Sequence, residues 1–183
     1  MEYSVSTLKT NTIQAATGST LSIATGTTLS GAAGAITAPG QVIGYKTQQA
    51  SNSTQISGTT YADITNMTLD YACKVASSLV YVIVHVQIFI PQQATAWQTA
   101  GIKILRGSTA LYTDVGYGSG HYTDSSNDRF MHFISVTTAT SPGDTSSQTY
   151  KVQGAKLRGT SYADFNNASY GAGGRITVME IAQ

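Results

Sequence analysis

Residues 79–90, LVYVIVHVQIFI, alternate with a period of two. One parity reads Val80, Val82, Val84, Val86, Ile88 and Ile90, a wholly β-branched face. The other reads Leu79, Tyr81, Ile83, His85, Gln87 and Phe89, a mixed face. β-Branched side chains fit a pleated surface and lose rotamer freedom in a helix. The segment therefore predicts a strand about 40 Å long. Its first face is a core face. Its second is too apolar for water and too polar for the interior of a lone chain, which suits a face covered by another subunit. A central strand enclosed by its own chain is the alternative.

The same period predicts further strands over 42–48 and 101–107, the latter with Ile102 and Ile104 inside and Lys103 opposite. Others fall at 110–116, 129–138, 148–157 and 175–182, and Ile64, Met67 and Leu69 mark one ending at Asp70-Tyr71. The 129–138 segment sets Phe130, His132, Ile134 and Val136 on one face and Met131 and Phe133 on the other, so it too asks for cover on both sides. No segment sustains a 3.6-residue period. The fold class this predicts is all-β, a jelly-roll-like antiparallel β-sandwich. Long Gly- and Asn-rich loops are expected at 116–128, 140–147 and 160–174, carrying Tyr117, Tyr122, Tyr162, Phe165 and Tyr170.

Upstream of Ala38-Pro39-Gly40 the pattern disappears. Residues 17–22, TGSTLS, nearly repeat as TGTTLS at 25–30, and Tyr3 is the sole aromatic residue before the Pro-Gly turn signal. Two domains are expected: an extended Thr/Ser/Gly-rich stalk or anchor at 1–38 and a sandwich head at 39–183. Ile13, Leu21, Ile23 and Leu29 are too few to bury a core alone, so the arm needs a partner.

Composition narrows the chemistry. Charged residues make up 10% of the 183, against about 25% in an ordinary soluble domain. Ten basic and nine acidic side chains nearly cancel, which argues against a nucleic-acid groove. The longest apolar run is too short for a membrane helix, so no membrane insertion is expected. The opening MEYSVSTLKT lacks the apolar run of a signal peptide, which predicts synthesis in a cytosol. The single cysteine, Cys73, reads as a half-buried hydrophobe rather than a reactive thiol. The three histidines, His85, His121 and His132, stand outside any zinc spacing. GYGSGH at 116–121 lacks the Lys-Ser/Thr ending of a phosphate loop. Asp114, Asp124 and Asp128 read as solvated turn residues. Neither catalysis, cofactor nor metal is expected.

Several segments resemble tail fibres and virion proteins of marine and cyanobacterial tailed phages. TLKTNTIQAATGSTLSI at 7–23 is similar to the start of their Gly/Thr/Ser repeats, and PGQVIGYKTQ at 39–48 to the entry into their C-terminal β domain. GTTYADITNMTLDY at 58–71, KILRGSTALYT at 103–113 and the closing RITVMEIAQ at 175–183 match short elements of that domain. The likeness runs along nearly the whole chain on short motifs. It implies a homotrimeric virion fibre, assembled in the host cytoplasm, whose head attaches to host-surface glycans. In such a trimer three arms share a narrow axial core, and residues 1–38 dock on other virion proteins. Trp97, Tyr117, His121, Tyr122, Tyr162 and Tyr170 are the expected glycan-contact residues, since aromatic faces stack on sugar rings. The chain is short for a tail fibre and its repeat is brief. A capsid-bound decoration protein that stabilises the particle without recognising a receptor is the alternative.

Overall fold

The computed structural model describes residues 38–91, 96–114, 120–123, 130–159, 162–167, 169 and 173–183. The expected stalk therefore lies outside the described residues except for Ala38. Eleven strands are described: β1 (Val42–Gln49), β2 (Thr54–Ile56), β3 (Ala62–Ala72), β4 (Leu79–Ile90), β5 (Ala96–Arg106), β6 (Thr109–Thr113), β7 (Gly120–Thr123), β8 (Phe130–Thr140), β9 (Ser147–Arg158), β10 (Ala163–Phe165) and β11 (Arg175–Ile181). Every pairing between them is antiparallel.

The pairing is nested. Of eight principal strands the first pairs the last (β1–β11), the second the seventh (β3–β9), the third the sixth (β4–β8) and the fourth the fifth (β5–β6). This is one long hairpin rolled on itself. Two further ladders, β11–β4 and β9–β5, close it into sheets ordered β1-β11-β4-β8 and β3-β9-β5-β6. That is the jelly-roll arrangement, two Greek keys in two layers. Short strands β2, β10 and β7 are added at the margins.

The core lies between the layers. Val80, Val82, Val84, Val86, Ile88 and Ile90 are all buried, as are Ile102 and Ile104 from the facing sheet. The expected inward faces of 79–90 and 101–107 are those observed. In β3 the inward positions are Ile64, Met67, Leu69 and Tyr71, a spacing that breaks period two between 64 and 67. The cause is a register shift against β9, with Asn66 at φ 60°. Five steps along β3 from Asp63 to Thr68 match two along β9 from Gln153 to Lys151, and this odd excess of three moves the later side chains to the other parity; Asn tolerates the left-handed backbone.

Two expected loops hold strands. β7 falls inside 116–128 and β10 inside 160–174. β10 also explains how β4 is covered. One edge of β4 pairs with β11 over Leu79–His85 and with β10 at Ile88 and Phe89. Where those two strands part, Asn166, at φ 58°, takes over the ladder. Its backbone N–H donates to the Gln87 carbonyl at 2.9 Å, and its Oδ1 accepts from the Gln87 N–H at 3.3 Å. The amide fits because residue 174 is glycine: a Cβ there would lie 2.3 Å from Asn166 Oδ1.

The mixed face of β4 divides. Leu79, Tyr81 and Ile83 are half-buried and His85 is exposed, whereas Gln87 and Phe89 are buried beneath the chain's own later segments. The last part is thus enclosed by the chain itself and the first part is not.

Candidate functional site

Among the described residues, no group of three or more His, Cys, Asp or Glu side chains is placed to hold a metal ion, and no helix is long and apolar enough to cross a membrane. The polar chemistry of the domain concentrates at Glu180 instead. β11 alternates inward Ile176 and Val178 with outward positions, and period two puts Glu180 on that same inward face. The side chain is fully buried. It faces the turn between β3 and β4, whose donors converge on it. Glu180 Oε1 accepts from the Lys74 N–H at 2.9 Å, the Val75 N–H at 3.0 Å and the Ser78 hydroxyl at 2.7 Å. Oε2 accepts from the Tyr71 hydroxyl at 2.7 Å.

Burial by itself raises the carboxyl pKa, but the hydrogen bonds from Lys74, Tyr71, Ser78 and Val75 outweigh it and hold Glu180 below the ordinary glutamate value. Tyr71 is driven the opposite way, first by burial and then by donating to that carboxylate. The node ties the last strand of one sheet to the third strand of the other and orders a turn that would otherwise leave its amide groups without partners. Sequence analysis missed this role. The available signal was a carboxylate at an inward position of a strand.

Cys73 lies beside this node and is buried. Its thiol is pushed up to about 11, chiefly by burial, with the Glu180 charge adding to the effect. The expected half-buried hydrophobe is therefore more deeply buried and nearly all thiol at neutral pH. Native protein at pH 8 is expected to leave a disulfide thiol reagent unreacted over the time in which denatured protein consumes one equivalent. Prompt native reaction would contradict this placement.

The expected glycan-contact residues divide into three groups. Trp97 sits at the start of β5 and is 56% exposed, although Gln98, Thr99 and Ala100 after it are buried. The β5–β7 register sets Tyr122 opposite Trp97 and His121 opposite Gln98, so three of the six positions share neighbouring strands. Tyr162 is half-buried and stands before β10, in the other sheet. Tyr117 and Tyr170 lie outside the described residues. A second surface feature is a shallow groove of about 510 Å³ beside β1, lined by Val42, Tyr45, Tyr71 and Lys74 among others. The Lys74 ammonium there donates to the Ile43 carbonyl. Nothing in the sequence had nominated this groove, because it forms where a bulge between Val42 and Gly44 lets β1 pass over the Tyr71 ring.

No protein-family model matches the sequence, and no curated protein matches it. Among solved structures, a chain from infectious bursal disease virus, strain Gt, is similar at TM-score 0.34 and 11% identity, over 76% of this chain and 38% of that one. A chain from the Gx strain of the same virus gives TM-score 0.33 and 14% identity, over 75% of this chain and 37% of that one. This chain thus spans less than two-fifths of the length of either neighbour. Neither ligand nor partner is carried over from them.

Proposed function

We propose that this chain is a structural component of a virion, assembled in the host cytoplasm as a homotrimer, with its jelly-roll head carried on residues 1–38. Those residues dock on other virion proteins, and the head attaches the particle to host-surface glycans. The observation that carries the attachment reading is Trp97, which stays 56% exposed on an otherwise buried stretch of β5. In the strand register Tyr122 is opposite it, and His121 is opposite the next residue, Gln98. An indole left 56% exposed forfeits part of the roughly 1.5–3 kcal/mol that fully burying a Phe- or Met-sized side chain yields. Stacking on a sugar ring recovers part of that loss. Three heads per fibre would multiply a weak single-site affinity.

The test is adsorption. Purified protein, pre-incubated with host cells, is expected to block attachment of the particle, and Trp97→Ala is expected to reduce that block at least fivefold at equal concentration. A wild-type protein that fails to block at saturating concentration overturns the attachment reading. The alternative is a capsid-bound decoration protein that stabilises the particle without recognising a receptor. Particles that lack the chain but adsorb normally and break open at lower temperature would establish that second reading.

A further inference from the structure

The two outer faces of this sandwich have opposite character. On the sheet ordered β3-β9-β5-β6 the solvent side is charged. Lys151 pairs with Asp63 at 3.1 Å, the Gln153 amide donates to Asp63, Thr149 donates to Asp70, and the Lys103 ammonium stands 4.7 Å over the Tyr61 ring. On the sheet ordered β1-β11-β4-β8 the solvent side runs in cross-strand rows. Tyr45, Met179, Tyr81 and Ala139 form one row, and the next centres on Ile83. Beyond them the exposed Phe133 and Met131 of β8 stand opposite Gln87 and Phe89, which the chain itself buries. On β1, β11, β4 and β8 these rows contain no carboxylate, Asp164 of β10 opposite Phe89 is buried, and Arg175 and His85 are the only basic side chains of the four strands' rows. Tyr45 is 72% exposed, Phe133 62% and Met131 45%.

The margin of that sheet is equally bare. β8 pairs with β4 over eleven consecutive positions with no register shift. It carries no Lys, Arg, Asp, Glu or Pro. Among the described residues no strand takes its other edge. Solvent-facing edge strands are ordinarily blunted by charge, proline or a bulge, because a long regular edge recruits another strand. β8 has none of these devices.

We infer that the outer face of the β1-β11-β4-β8 sheet, with the β8 edge, is where copies of this chain meet. The inference rests on the multi-copy reading above and names the surface that serves it. A second copy is the occupant that fits. A face without carboxylates and with one guanidinium offers no charge pattern by which a strongly charged partner would be selected. Copies of it meet without like-charge density, and an unblunted edge is open to pairing with a strand of the neighbouring copy. The size also suits. Four strands about 4.8 Å apart and seven to twelve residues long give a plane of roughly 450–800 Å² before side-chain relief. A stable interface takes about 800 Å² per partner.

Light scattering on the full chain tests this. Wild-type protein is expected at a whole multiple of the 19.2 kDa chain mass, three times under the trimer reading. Phe133→Asp and, separately, Ser135→Asp should weaken association at least tenfold, while Thr68→Glu, on the opposite outer face across from Lys151, should leave it unchanged. Ser135 is already exposed on β8, so its variant stays folded if Phe133→Asp does not. Folded Ser135→Asp and Phe133→Asp proteins that keep the wild-type mass would overturn the assignment of this face and leave the multi-copy reading standing. A wild-type chain of single mass at 100 µM would overturn both, without touching the adsorption result.

Discussion

Glu180→Gln is expected to destabilise the domain by about 3 kcal/mol, enough to lower its melting temperature by roughly 8–12 °C. The carboxylate receives donors from Lys74, Val75, Ser78 and Tyr71 in a site closed to water. An amide keeps one acceptor and turns a donor toward the rest, so at least one buried donor, the Tyr71 hydroxyl if the oxygen keeps the Oε1 place, loses its acceptor, and the remaining hydrogen bonds lose their charge assistance. Each such group costs about 1–3 kcal/mol. The pH dependence separates this from a packing defect. Glu180 is held below its ordinary value of 4.5, so the unfolded chain takes up the proton first. The stabilisation is complete above that value and drains away as pH falls through the lower, folded-state pKa. Melting curves of the two proteins should therefore stay a fixed distance apart near neutrality and converge under acid. A gap unchanged from pH 7 to pH 3 would show that the charge is not what stabilises the turn.

Phe165→Ala is expected to cost about 3–5 kcal/mol, the range for deleting a fully buried ring. Phe165 belongs to β10 in one layer, and its ring lies against the backbone of Gly154 in the other, where a Cβ would come within 2.5 Å of the ring. The glycine is the hole and the ring the peg. Gly154→Ala alone should overpack the site by about 1–3 kcal/mol. Because the two changes act on one contact, the double variant should be less destabilised than the two single variants combined. Strict additivity in denaturant titrations would mean the ring and the glycine do not share that space.

How far the sequence alone reached follows from period. Strands long enough to alternate over several residues, such as 79–90 and 101–107, announce both their place and their inward face. β10 is three residues long, too short to display any alternation, and it was read as part of a loop. β7 was hidden in the same way among glycines. The bulge at Asn66 was visible only as a spacing of three in an otherwise even pattern. Glu180 was legible by parity but has no chemistry until the turn at 72–78 folds over it. Of the six aromatic and histidine positions, sequence could nominate rings in Gly-rich stretches. It could not register Trp97 against Tyr122, because that pairing joins two separate segments and depends on the ladder between them.

Nested pairing also governs when the molecule can exist at all. The last of the described strands, β11, is interior to its sheet, with β1 on one flank and β4 on the other. While the ribosome still holds residues 175–181, β1 has nothing to pair with and half of one β4 edge is bare. The earliest strand must wait for the latest, across almost the whole length of the domain. Folding therefore waits until residues 175–181 are free to pair, and it proceeds slowly because the outer closures of the nest span long loops.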